Sequence, residues 1–336
     1  MTTRTLTVRT EQLRLTVPFR ISGYVFEHSD VVVVTIRDGP RSGRGEASGV
    51  YYVSDDAPHM LAGIESCRTA IEGGASRHDL QALLPPGGAR NALDCALWEL
   101  EAAQRGVPVW ALAGLEAPKP LVTTFTLGAD DPETVAAGAR RYADARAIKL
   151  KLTGEIEADL GRIEAVRTAR TDVWLGVDAN QGFARRDLDR LVEALVEHRV
   201  ALLEQPLARG READLEGYAS PVPIAADESA LSLADVPGLV GRFDVVNIKL
   251  DKCGGLTEGL AMAAEARRLG LQVMVGNMVG TSLAMAPAYL LGQLCDYVDL
   301  DGPTFLTEDR QPAVVYRDGF ITCGEGVWGG GGRLVA

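Results

Sequence analysis

Four of the chain's five lysines fall in two tight groups, Lys149 and Lys151 in K-L-K and Lys249 and Lys252 in K-L-D-K; arginine supplies the other 29 of the 34 basic residues. A guanidinium keeps its proton near neutral pH, whereas a lysine ammonium can surrender one when its surroundings demand it. Lysine retained at these places in an arginine-rich chain therefore suggests work for a titratable proton. Between the two groups stand three carboxylates, each at the end of an apolar run: Asp178 in VWLGVDA (173–179), Glu204 in ALLEQP (201–206) and Asp227 in VPIAAD (222–227). Asn180 shares the strand face of Asp178, Glu228 sits beside Asp227, and Asp299 and Asp301 close the run CDYVDLD (295–301). Three like charges brought together repel strongly unless a cation lies between them. An all-oxygen set suits a hard ion, Mg²⁺ ahead of Ca²⁺ or Mn²⁺. The four histidines, His28, His59, His78 and His198, fall outside these run ends, which argues against zinc.

Such a set predicts a definite chemistry. A substrate carboxylate bound to the ion would have an acidified α-carbon, with a lysine on either side of it. The metal offsets the charge that develops when the α-proton leaves, and neighbouring cations, Lys149 beside Lys151 and the ion itself, would push a lysine pKa down toward a working base. Two bases on opposite faces permit racemisation or epimerisation. One working base suits elimination or cycloisomerisation, and a barrel that only binds a metal–carboxylate ligand is a third reading of the same residues.

Elements must deliver these side chains to one place. From residue 120 onward, apolar runs recur about every 25 residues: LVTTFTL (121–127), AIKLKL (147–152), the three runs above, FDVVNIKL (243–250), LQVMVG (271–276) and CDYVDLD. Between several of them lie stretches with apolar residues at three- and four-residue spacing, such as EIEADLGRIEAVRTAR and RDLDRLVEALVEH,. Eight strands alternating with helices predict a closed parallel (β/α) barrel, whose C-terminal strand ends carry the chemistry. A doubly wound open sheet is the alternative, but no glycine-rich phosphate loop follows the first run. Strands two and six would then place Lys151 and Lys249 across the barrel from each other.

The first 118 residues predict a separate α+β domain. TRTLTVRTEQLRLTV and DVVVVTIRDG read as antiparallel strands joined by a polar loop, ISGYVFEHS, and the later helix carries Ala92, Leu93, Ala96, Leu97, Leu100 and Ala103 as one apolar stripe,. GLEAPKP (114–120) reads as the linker, 119–303 as the barrel that carries the chemistry, and 304–336 as a tail returning to the N-terminal α+β domain.

Composition bounds the rest. The chain has 336 residues, 46% hydrophobic, with net charge −12 and pI near 4.9; acidity of this degree argues against nucleic acid or an anionic membrane as partners. Neither a membrane-length apolar run nor a secretory h-region follows MTTRTLTVRT, and the five cysteines lack a close C-x-x-C pair, so a cytoplasmic protein with reduced thiols is expected. A homo-oligomer is compatible with all of this.

K-L-K, D-A-N, L-L-E-Q-P, A-D-E-S and N-I-K-L-D-K-C-G-G together resemble the muconate lactonizing subgroup of the enolase superfamily over nearly the whole chain. Within it, GGARNALDCALWEL and VDLDGP resemble dipeptide epimerases of the L-Ala-D/L-Glu type. The resemblance implies a capping domain on a (β/α) barrel, Mg²⁺ on Asp178, Glu204 and Asp227, and Lys151 and Lys249 as the acid/base pair with Lys149 assisting. It further implies a dipeptide substrate whose α-ammonium is held by Asp299 and Asp301. Cycloisomerases and o-succinylbenzoate synthase-type lyases share the scaffold and remain the alternative. In one respect the chain departs from the pattern. Where Ala-Glu enzymes carry an arginine in the capping loop, alignment from Pro18-Phe19 places Phe26, within Gly23-Tyr24-Val25-Phe26-Glu27. Phe26 favours an apolar second residue, Glu27 a cationic one, and Arg20 could still reach a glutamate.

Overall fold

The computed structural model describes residues 4–21 and 23–331. The chain opens with β1 (Thr5–Ile21), β2 (Tyr24–Asp38) and β3 (Arg41–Ala47), an antiparallel sheet in that order. The loop expected over ISGYVFEHS is instead the tip of the β1–β2 hairpin: Phe19 pairs with Phe26, Arg20 with Val25 and Ile21 with Tyr24 beyond a register shift after Arg14. Its aromatic and β-branched residues favour the pleated surface, and Gly23, at φ 76°, makes the reversal,. Helices α1 (Ala57–Glu72), α2 (Arg77–Leu83), α3 (Gly88–Arg105) and α4 (Val109–Leu112) follow.

The short strand β4 (Leu121–Val122) leads to β5 (Thr124–Leu127), so the first expected barrel run divides in two. The barrel then continues through α5 (Pro132–Arg141), β6 (Ala147–Lys151), α6 (Ile156–Ala169), β7 (Trp174–Asp178) and α7 (Leu188–Glu197). Next come β8 (Leu202–Glu204), β9 (Ile224–Ala226), β10 (Val245–Lys249), α8 (Leu250–Cys253) and α9 (Leu256–Arg268). It ends with β11 (Gln272–Gly276), α10 (Ser282–Gly292) and β12 (Tyr297–Val298). β5 to β12 form one eight-stranded sheet in which each strand pairs with its neighbour in sequence, in parallel wherever the register is defined. That order is a barrel rather than a doubly wound sheet.

Helices do not follow every strand. After β8 and β9 only 3₁₀ turns form, Glu212–Leu215 and Leu233–Leu239; prolines and glycines (Pro206, Gly210, Gly217, Pro221, Pro237) interrupt longer helix there,. The seam between β5 and β12 is bridged largely through side chains. The Leu300 N–H donates to Thr123 Oγ1 at 2.9 Å, the Thr124 hydroxyl to Asp299 at 2.5 Å, and the Thr126 N–H to Asp301 at 2.6 Å.

The residues after 303 reach both parts of the molecule. β13 (Val315–Arg317) pairs with β14 (Phe320–Thr322), which pairs with β4, while Arg310 bonds Glu46 and Glu11 and Gly329 N–H donates to Glu99. Among the described residues no helix is long and apolar enough to cross a membrane, and all five cysteines are free.

Candidate active site

Adjacent strands β6 to β10 bring the charged residues to one end of the barrel. Asp178 pairs in register with both Lys151 and Glu204, so parallel pairing alone aligns three of the functional side chains. Asp178, Glu204 and Asp227 are each essentially buried, and one carboxylate oxygen of each lies within 4.8 Å of the others. Burial and then the Asp178 charge raise Glu204 to about 7; burial and then Asp227 raise neighbouring Glu228 to about 8. Asp178 and Asp227 resist the same burial because lysines face them, Lys151 and Lys149 for the first, Lys249 and Lys252 for the second, and both fall below the usual carboxylate range.

These carboxylates fit a divalent ion. They provide oxygen donors alone, combine burial with mutual repulsion to hold Glu204 far from its ordinary value, and have unpartnered buried atoms around them: Glu228 Oε2, Asn180 Oδ1 and Asn247 Oδ1,.

The lysines knit the cluster together. Lys149 Nζ lies 3.0 Å from Asp178, 2.7 Å from Glu204 and 2.9 Å from Asp299. Lys151 Nζ donates to Asp178 and Lys249 Nζ to Asp227, both at 2.6 Å. With β6 and β10 four strands apart in an eight-stranded barrel, these two ammonium groups come from opposite sides. The Lys249 and Lys149 protons are held more firmly than neighbouring cations alone would suggest. At Lys249, burial and the Lys149 charge push the pKa down, but Asp227, Glu204 and Asp178 outweigh them and hold it above the ordinary value. Lys149 likewise stays well above its ordinary value, burial being overcome by Asp299, Glu204 and Asp178. Asp178, Glu204 and Asp227 contribute to raising both lysines and are also the carboxylates that would hold an ion.

A cavity of about 590 Å³ opens onto this cluster. Lys151, Lys249, Asp227 and Asn180 form its floor, and Phe26 lines it from the hairpin. Arg20 and Glu27 are not among its lining residues: Arg20 lies 3.6 Å from Asp130, and Glu27 is exposed on the strand face opposite to Phe26. Asp299 and Asp301 join the buried cluster through Lys149 and the barrel seam rather than lining this cavity. Burial and then Asp299 raise Asp301 to about 7.

Other residues of the site carried little or no signal in the sequence. Lys252, one helical turn past Lys249, donates to Asp227 Oδ1 (2.6 Å), Asp227 O (2.6 Å) and Asn247 O (2.9 Å), which fixes the Asp227 carboxylate; its place in K-L-D-K was the available clue. Asn247 donates to Glu204 at 2.8 Å. Gln205, at φ 36°, ties the β8 end to the β9 end by accepting from the Asp227 and Ser229 N–H groups at 3.0 and 3.1 Å. Tyr51 and Tyr52 reach the cavity from the turn after β3, and nothing in their local sequence marks them.

Comparison with known proteins adds relatives of this architecture. Residues 3–114 match the mandelate racemase / muconate lactonizing enzyme N-terminal domain, and residues 134–327 match the enolase C-terminal domain-like family. The L-Ala-D/L-Glu epimerase of Escherichia coli (strain K12) is 38% identical over 318 residues, 94% of this chain and 98% of that protein. A crystal structure of an enolase family member from Agrobacterium tumefaciens with homology to dipeptide epimerases, holding sodium and L-Ala-L-Glu, is 40% identical with a TM-score of 0.92, covering 97% of this chain and 100% of that one. The dipeptide epimerase of Methylococcus capsulatus, complexed with Mg and L-Arg-D-Lys, is 31% identical with a TM-score of 0.91, covering 98% and 99% of the two chains.

Proposed function

Because the chain belongs to the enolase superfamily, with mandelate racemase / muconate lactonizing enzyme domains matched in both its parts, we propose that it is a Mg²⁺-dependent dipeptide epimerase inverting the α-carbon of the C-terminal residue by proton transfer between Lys151 and Lys249. The observation that carries this reading is the pair of lysines on one cavity wall, delivered from opposite barrel strands with the carboxylate trio between them. The named relatives epimerise dipeptides or hold them, which supports the substrate class.

Asp178, Glu204 and Asp227 would hold the ion, which when bound supplies positive charge against the substrate carboxylate and the charge left on the α-carbon side as its proton departs. One lysine, as the neutral amine, takes the α-proton; its C–H electron pair stays with the substrate. The opposite lysine, as ammonium, returns a proton to the other face and thereby inverts the centre. Lys149, held among Asp178, Glu204 and Asp299, keeps the cluster near neutrality and Lys151 in place. Asp299 and Asp301 would receive the α-ammonium of the N-terminal residue, a requirement that substrates lacking an amine do not meet.

The test is a dipeptide library with Mg²⁺ in D₂O, read by mass spectrometry. Deuterium should enter the α-position of the C-terminal residue. Lys151→Ala and Lys249→Ala should each abolish inversion, while the remaining lysine still exchanges the proton of the epimer it faces. Absence of exchange in every dipeptide overturns the reading.

A further inference from the structure

If the carbon being inverted lies between Lys151 and Lys249, as the epimerase reading requires, its side chain has only the cavity above them to enter. The walls there are rings and branched side chains: Phe19, Ile21 and Phe26 from the hairpin, Tyr51 and Tyr52 from the turn after β3, and Met278 from the loop after β11. The rings form a continuous cluster. Phe26 and Tyr51 lie 5.2 Å apart between centroids, Tyr51 and Tyr52 5.1 Å, and Tyr24 packs 4.7 Å from Tyr51.

The charged groups on this wall oppose an acidic side chain. Among the described residues, Lys151 and Lys249 are the sole lysines on the wall and it has no arginine; both lysines are committed to the proton. His28 also lines the wall, but its side chain is largely in solvent and faces Asp30 at 3.7 Å. A glutamate side chain placed here would meet Asp30, Asp55 and Asp56, with no free cation to repay its lost hydration. A basic side chain fares little better. Asp55 already accepts from the Gly88 N–H at 2.7 Å and contacts His59 at 2.9 Å, Asp56 caps α1 through the His59 N–H, and Asp30 stands in solvent beside Gln12, where an ion pair is weak.

We infer that the residue this enzyme inverts carries a large apolar or aromatic side chain, selected by Phe26 and Tyr51, and that acidic dipeptides are poor substrates. This deepens the epimerase reading and rests on it. Four peptides decide the matter: L-Ala-L-Phe, L-Ala-L-Leu, L-Ala-L-Glu and L-Ala-L-Lys, each followed by α-deuterium exchange with Mg²⁺ present. The Phe and Leu peptides should exceed Glu and Lys in kcat/KM by about 100-fold or more, the scale on which an unpaired charge in an apolar pocket is rejected. Phe26→Arg, at a half-buried hairpin position, should keep the circular dichroism spectrum and move the Glu-to-Phe ratio toward Glu by about 10-fold or more, as a restored charge partner would. Exchange led by the Glu or the Lys peptide overturns the inference and leaves the epimerase reading standing. No exchange in any of the four, nor in the wider library, overturns both.

Discussion

Lys149 touches three carboxylates at once, and that one side chain sets the electrostatics of the site. Shared among Asp178, Glu204 and Asp299, it cannot offset burial and the Asp178 charge at Glu204, whose pKa rises from 4.5 to about 7. A carboxyl raised in the folded chain contributes stability that is complete below its unfolded value and is lost as pH climbs through its folded value. The window here is pH 4.5 to about 7. In EDTA, Glu204→Gln should therefore gain Tm relative to the parent as pH goes from 5 to 8, because the parent alone must ionise a buried group beside Asp178. A difference in Tm that stays constant across that range would refute the assignment. The main site residues were legible because strand ends announce themselves: Asp178, Glu204, Asp227, Lys151 and Lys249 each close an apolar run. Tyr51 and Tyr52 were not, since a turn residue's reach into a cavity depends on tertiary placement that no local pattern encodes. The firm hold on the Lys149 and Lys249 protons was equally invisible, being a sum over several strands.

At the level of elements, the capping sheet sits unusually close to its helix. Gly43 and Gly45 occupy one face of β3, and a Cβ added to either would come within 2.0 Å of a backbone carbonyl of α3, Ala96 for the first and Ala92 for the second. Alternation on the strand and the four-residue spacing of Ala92 and Ala96 on the helix match these contacts. Gly45→Ala must push helix from sheet, and a backbone oxygen cannot rotate aside. It should cost about 3 kcal/mol or more, at or beyond the upper range for overpacking, read as a lowered urea midpoint; an unchanged midpoint would show that the two elements slide freely. The apolar stripe of α3 was evident from its period, yet the stripe describes one side only. Cys95, Trp98 and Ala102 pack on the other side, and Asp94 receives the Thr257 N–H at 2.9 Å. Period analysis finds a first buried face and treats the second as surface. For a similar reason the hairpin tip reads as a loop in the sequence: Tyr24, Val25 and Glu27 are exposed around half-buried Phe26, and the partner strand that explains them lies seven or fewer residues away across a reversal.

Over the whole molecule, α3 belongs to two cores at once. Ala92, Leu93, Ala96, Leu97 and Leu100 join the capping core with Val32, Val34 and Ile36, while Cys95, Trp98 and Ala102 join the barrel core with Val31 and Val33. β2 is divided in the same way between its two faces. Polar ties follow the same boundary: Asp251 accepts from the Ser48 N–H at 2.9 Å, Trp98 Nε1 donates to Thr257 at 2.9 Å, and Arg90 pairs with Glu258. Unfolding the cap would strip one side of the barrel's apolar core and leave Asp251, Thr257 and Glu258 without their cap partners, so the barrel has no intermediate in which it remains satisfied alone. The chain should lose structure in a single transition, with far-ultraviolet circular dichroism and tryptophan fluorescence tracing the same curve. Trp98, carried on α3, and Trp328 sit in the core that cap and barrel share, and Trp174 packs against the smaller cluster among the barrel strands, which makes the comparison sensitive to any separation. Mg²⁺ at about 100 times its dissociation constant should raise that one transition by about 2.7 kcal/mol in stability, moving both signals together, because the ion's carboxylates lie in the barrel while the fold that holds them extends into the cap. A split into two transitions on adding Mg²⁺, with only the barrel signal shifting, would mean that cap and barrel fold independently and that the shared helix and strand couple them too weakly to matter.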